Sequence, residues 1–173
     1  DGVPNLAPYS FFNAVSDKPP FVLFSSVGRK DSQANIEATG EFTCSLASWE
    51  LREQMNMSSA PVATEVDEFR LARLEVAPSR HVAPPRVAGS PAALECRLWK
   101  TIELPGDPRR PGQPRNTIII GEVVGIYIDD AYIRDGRFDT AAARPLARMG
   151  YMDYAVVTPE TTFEMNRPTV SAD

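Results

Sequence analysis

The sequence is short of histidine, cysteine, positive charge and long apolar runs, and each scarcity removes a class of function. His81 is the only histidine and no Cys/His cluster surrounds it, so a tetrahedral zinc site lacks ligands. The two cysteines, Cys44 and Cys96, sit far apart in apolar stretches that read as strands, which suits reduced, buried thiols acting as small hydrophobes. Lys and Arg number 18 against 23 Asp and Glu, a net charge of −5, so there is no basic field to hold nucleic acid or anionic lipid. Neither a signal peptide nor an apolar run of about 20 residues is visible. A cytoplasmic protein with no membrane partner is therefore expected. Gly-x-Ser-x-Gly, Walker-type and Gly-x-Gly-x-x-Gly motifs are all missing, which removes support for triad hydrolases, nucleotide hydrolases and Rossmann dehydrogenases.

Proline, by contrast, is plentiful at 16 residues, and it punctuates a chain of 173. That length suits one domain over residues 1–173, able to bury roughly 70% of its unfolded surface. Asp1-Gly2 is a favoured hairpin pair, so a preceding strand is expected upstream of residue 1. Residues 5–13 mix apolar and polar types without a period, as ligand-facing loops do. Pro19 and Pro20 interrupt the chain, and residues 21–24 read as a short interior strand. Asp31 is placed to cap a helix over residues 32–39 that Gly40 ends, and residues 41–46 read as a strand. Ser48 is placed to cap a second helix reaching Met57, with Leu51 and Met55 on its buried face. A short helical turn is expected at residues 67–72, and an irregular, proline-rich crossing at residues 77–91.

The second half reads as β. Leu94, Cys96, Leu98, Ile102 and Leu104 share one parity, and Glu95, Arg97, Trp99, Thr101 and Glu103 the other, as a half-buried strand requires. Residues 116–130 form a long β-rich run containing Gly121 and Gly125, and strand glycines mark bulges, corners or close approach of another group. Glu122 inside that run is expected to pair with Arg or backbone, since an unpaired carboxylate there is costly. Residues 107–115 read as a solvated basic loop and the acidic residues 129–139 as a solvated hairpin. Long strands with glycine kinks and few helices predict a mainly β, barrel-type fold.

Two stretches carry chemistry. At residues 25–35, Ser25 and Ser26 end a strand, Gly28 permits a tight turn, and Arg29, Lys30 and Ser32 surround a helix start whose free N–H groups attract anions. Spacing alone leaves two readings open, a phosphate site or an ordinary capped helix with a solvated basic pair. Residues 5–13 offer main-chain groups, the Tyr9 and Ser10 hydroxyls and the Asn13 amide. Those groups suit either a flat polar ring or a plain edge strand.

The run DGVPNLAPYSFFNAV, then PPFVLFS and KDSQANI, resembles the flavin reductase-like family of FMN-binding split β-barrels, in its flavoredoxin-type branch. VDEF at 66–69, PPRVAGSPAALEC at 84–96, GEVV at 121–124 and MGYMDYA at 149–155 agree in order and spacing. The resemblance implies a Greek-key split barrel that binds FMN. It implies that Asn5, Leu6, Ala7, Pro8 and Tyr9, with Ser10, Asn13 and Ala14, line the isoalloxazine. It implies that Ser25, Ser26, Arg29, Lys30, Asp31, Ser32 and Asn35 surround the phosphate, and that Tyr154 covers the ring. Tyr151 stands where a more typical member has glycine, which alters the open flavin face. No catalytic side chain and no metal are implied. A homodimer with flavin near its interface and NADH or NADPH as donor is expected. The alternatives are an electron carrier served by a protein donor and a non-catalytic flavin-binding or scaffold barrel.

Overall fold

The computed structural model describes residues 2–170, so the expected turn at Asp1 lies outside the described residues. Strand β1 (Phe12–Asp17) turns at Lys18 and Pro19 into β2 (Pro20–Val27). Helix α1 (Asp31–Thr39) leads into β3 (Glu41–Ser45), and a 3₁₀ turn (Trp49–Leu51) runs into α2 (Arg52–Met57). Then come α3 (Glu68–Leu71) and the short pair β4 (Val76–Ala77) and β5 (Arg86–Val87). The long strands β6 (Ala92–Glu103) and β7 (Asn116–Ile128) follow. The chain continues through the hairpin β8 (Ile133–Arg134) and β9 (Arg137–Phe138), helix α4 (Thr140–Ala143), and the hairpin β10 (Leu146–Arg148) and β11 (Tyr154–Val156). No helix among the described residues is long and apolar enough to cross a membrane.

The main sheet has five strands in the order β1-β2-β7-β6-β3, all antiparallel. The β2-β7-β6-β3 portion has a Greek-key order: β3, β6 and β7 follow one another in space, and β2, which precedes them in the chain, lies beside β7. Among the described residues the sheet does not close on itself, and β1 and β3 are its edges. Val22, Phe24, Ile36, Phe42, Cys96 and Ile119 form the buried core, so α1 is held against the sheet through Ile36. Gly40 ends α1 in the left-handed conformation, φ 74°, and donates its N–H to the Ile36 carbonyl at 2.8 Å, a stop that favours glycine.

Several local expectations are corrected. Asp31 is the first helical residue and Lys30 occupies the cap position, with no capping side chain. Ser48 makes no side-chain cap, and Leu51 and Met55 are only half-buried. In β6 the alternation holds only from Cys96 to Leu98, because the register shifts between Glu95 and Cys96 and again between Leu98 and Lys100, where Trp99 is left as an extra residue. Ile102 and Leu104 consequently face outward, at 38% and 36% exposure. Glu95, on the parity read as polar, is 4% exposed. Its carboxylate accepts the backbone N–H groups of Arg80 and His81, so the crossing segment is tied to the sheet. Glu122 is exposed opposite Arg97, whose guanidinium lies 3.8 Å from Glu41 instead.

Both strand glycines admit a close neighbour. A Cβ on Gly121 would lie 2.4 Å from Phe42 Cζ, and one on Gly125 2.5 Å from His81 Cδ2. His81, an exposed residue, thus lies over β7 at Gly125. Both cysteines are free, Cys96 buried and Cys44 half-buried. A hydrogen bond to Cys96, then burial, pushes the Cys44 thiol well above its ordinary pKa, so it stays protonated.

Gly121→Ala is expected to cost roughly 1–3 kcal/mol in urea unfolding through overpacking against Phe42. Gly150→Ala, where a Cβ meets nothing within 4 Å, is expected to stay within about 0.5 kcal/mol of the parent. Burial pushes the Glu95 carboxyl up, but the Arg80 and His81 amides outweigh it and leave a pKa below the ordinary value. Its stabilisation is therefore full above the unfolded-chain pKa and disappears as pH falls through the folded one. Glu95→Gln should lose stability at neutral pH and show a shallower loss on acidification; parallel pH–stability curves for the two proteins would refute this.

Candidate functional site

Three stretches distant in sequence meet beside the start of α1. Ser32 Oγ donates to Asn5 Oδ1 at 2.7 Å, Asn5 Nδ2 donates to Glu68 Oε1 at 3.2 Å, and Leu6 N donates to Glu68 Oε2 at 3.0 Å. Glu68 is 7% exposed. It is held there because Asp67 caps α3 by accepting the Arg70 N–H and because neighbouring Phe69 is 4% exposed. Local pattern points to a helical turn at this place but not to a buried carboxylate, since what buries Glu68 lies over sixty residues away.

From this pin the chain runs over β2. The Tyr9 ring lies 4.5 Å from Phe24, tilted by 50°, and its hydroxyl is buried without a hydrogen-bond partner. The Phe11 carbonyl accepts the Ser25 N–H at 2.9 Å, after which β1 pairs with β2. Asn13 and Ala14 lie on this exposed edge strand, opposite Leu23 and Val22. Ala7 is half-buried; Pro8 and Ser10 are exposed.

At the strand-to-helix turn the serines are partly committed. Ser26, fully buried, donates to the Gly28 carbonyl at 3.1 Å, whereas Ser25 Oγ accepts from Asn116 Nδ2 at 3.2 Å and keeps its own proton. Gly28 sits at φ 70° and its N–H donates to the Arg115 carbonyl at 2.8 Å. The basic loop thus ends against this corner.

With no capping side chain, the first-turn N–H groups of α1 lack intrahelical acceptors and remain available to an anion. Lys30 is exposed, and no ion pair among the described residues involves it. Arg29 is committed to Glu37, whose carboxyl lies below its ordinary pKa through hydrogen bonds from Gln33 and Arg29. Asp31 accepts from Thr64 Oγ1 at 3.0 Å, and its negative charge beside the helix start opposes an anion. Asn35 is exposed, one turn beyond Ser32 on the same helix face.

Tyr154 makes no hydrogen bond to these groups among the described residues. It lies on the β10–β11 hairpin, where Arg148 donates to its hydroxyl at 2.7 Å and the guanidinium lies 4.8 Å from its ring. That hairpin is anchored to the end of β3 by the Leu146 N–H on the Ala47 carbonyl. Tyr151 is at its tip, 92% exposed. No group of His, Cys, Asp and Glu among the described residues could hold a metal ion.

Comparison with known proteins accords with this architecture. The family model described as flavin reductase like domain matches residues 1–143. An uncharacterized protein of Deinococcus radiodurans is 39% identical over 173 residues, 95% of this chain and 72% of its own. The crystal structure of nitrilotriacetate monooxygenase component B from Bacillus cereus superposes with a TM-score of 0.84 at 28% identity, covering 93% of this chain and 79% of that one. Flavoredoxin of Desulfovibrio vulgaris (Miyazaki F) shares the fold at a TM-score of 0.78 and 22% identity, over 97% of this chain and 84% of its own. With its split-barrel sheet order and a family match over most of its length, the chain belongs to the flavin reductase-like family.

Proposed function

We propose that the protein binds FMN and acts as an oxidoreductase, passing electrons from NADH or NADPH through the flavin to an acceptor. The observation that carries this reading is the 2.7 Å contact between Ser32 and Asn5, which sets the helix start against residues 5–10. One mononucleotide can then have its ring on that segment and its phosphate at α1. The residues fit such a group. The buried Tyr9 hydroxyl lacks a partner, a costly state that a polar heterocycle edge would relieve. The open first-turn amides and Lys30 supply donors and charge for a phosphate dianion. Flavin, when bound, supplies the hydride and electron chemistry. Main-chain groups at Ala7, Pro8 and Ser10 orient the ring, and no side chain is needed as acid or base.

Because Ser32 spends its proton on Asn5, the weight of phosphate binding falls on Lys30 and the amides. Lys30→Ala is expected to raise the FMN Kd roughly tenfold and to change the riboflavin Kd less than about twofold. In the Lys30→Ala, Ser32→Ala double variant, retention of FMN equal to the parent's would refute the phosphate assignment.

A homodimer completes this reading. Edge strand β1 is exposed throughout, with Phe12 at 42% and Val15 at 51% exposure, and Val15, Phe21, Trp99 and Ile120 line an apolar groove beside it. Unpaired apolar edges invite a second chain. Val15→Lys should shift the sedimenting species from dimer toward monomer; a monomeric parent protein would remove the dimer.

The position of the lone histidine favours a second reading, an electron carrier with a protein donor. His81 lies over Gly125 of β7 and its backbone N–H is held by Glu95. No hydrogen bond among the described residues sets its imidazole against residues 5–10. Anaerobic stopped-flow mixing separates the two: rapid bleaching of bound flavin by NADPH alone eliminates the carrier.

A further inference from the structure

We infer that Glu68 is a positioning residue of the flavin site, holding its ring end and its phosphate end in register through two hydrogen bonds. The inference rests on the flavin reading above and extends it to a residue that touches no flavin. Both Glu68 oxygens accept, one from Asn5 and one from Leu6, so Asn5 turns its Nδ2 toward Glu68 and its Oδ1 toward Ser32. Ser32 is thereby made the donor in its contact with Asn5. The second Glu68 oxygen takes the Leu6 N–H, which fixes the backbone from which residues 7–10 extend. One buried group thus orders both the segment under the ring and the first turn of α1. Burying a carboxylate is costly where an apolar side chain would pack more cheaply. A requirement for two acceptors at fixed positions accounts for it.

The hydrogen-bonding inventory makes the inference testable. Gln at position 68 keeps one acceptor for Leu6 and gains a donor. If the Asn5 amide turns over, the relay re-forms with reversed polarity. Glu68→Ala leaves the Leu6 N–H and the Asn5 Nδ2 group without partners, while Asn5 Oδ1 still accepts from Ser32. The experiment compares the parent, Glu68→Ala and Glu68→Gln, below their melting temperatures, by hydrogen exchange of residues 4–10 in the flavin-free protein and by titration with FMN and riboflavin. Glu68→Ala is expected to speed exchange of the segment and weaken both flavins about tenfold or more. Glu68→Gln is expected to return exchange and riboflavin affinity to within about threefold of the parent.

A residue that merely stabilises α3 would lower the melting temperature and move neither readout. Unchanged exchange in Glu68→Ala, or faster exchange with unchanged affinities, overturns the inference while the flavin reading stands. Failure of Glu68→Gln to restore either readout also overturns it, because charge rather than hydrogen-bond placement would then be the requirement. A parent protein that binds neither flavin removes the flavin reading and this inference with it.

Discussion

Strand β7 lies between β2 and β6, hydrogen-bonded along both edges, and most of the fold follows from what that position demands. Its face must admit Phe42 at Gly121, where a Cβ would fall 2.4 Å from the ring. Phe42 in turn packs edge-on against Phe24 at 5.8 Å, and Phe24 carries Tyr9 at 4.5 Å. The missing Cβ in the middle of the sheet is thus linked, through an aromatic column, to the segment that runs toward Asn5. Aromatic pairs of this kind are worth about 0.5–1.5 kcal/mol beyond their buried area. They tie the N-terminal segment to the core without a regular strand.

Hydrogen bonds hold the other half of the site where packing cannot. Glu68, Asn5 and Ser32 form a short chain in which each member settles the orientation of the next. Of the charged groups at the helix start, Arg29 is committed to Glu37 and Asp31 opposes an anion, so in the flavin reading the one cation left among the described residues there for a phosphate is Lys30. An anion at such a place would be held by oriented amides and a helix dipole together with a single cation. That is compatible with a chain of net charge −5.

The β7 run, the β3 strand, the Gly40 stop and the α3 turn were legible in the amino-acid order, because each is marked by a local signal. Much of the candidate site was legible too, through the resemblance of residues 1–36 to a known family. The structure brings Asn5, Leu6 and Ser32 together through Glu68, sets Tyr9 on the core, and leaves Tyr154 on a separate hairpin. Arg29 and Ser26 have internal partners that no spacing rule reveals.

By itself the sequence determined periodicity, breakers and charge, and hence a mainly β chain with a helix over residues 32–39 that Gly40 ends. Only the tertiary structure decided that Trp99 is an extra residue that turns Ile102 outward, that Glu95 is covered, and that buried Glu68 joins Asn5 and Leu6. The reason is physical: parity and capping act over a few neighbouring residues, whereas burial and register depend on which distant strand or segment arrives alongside.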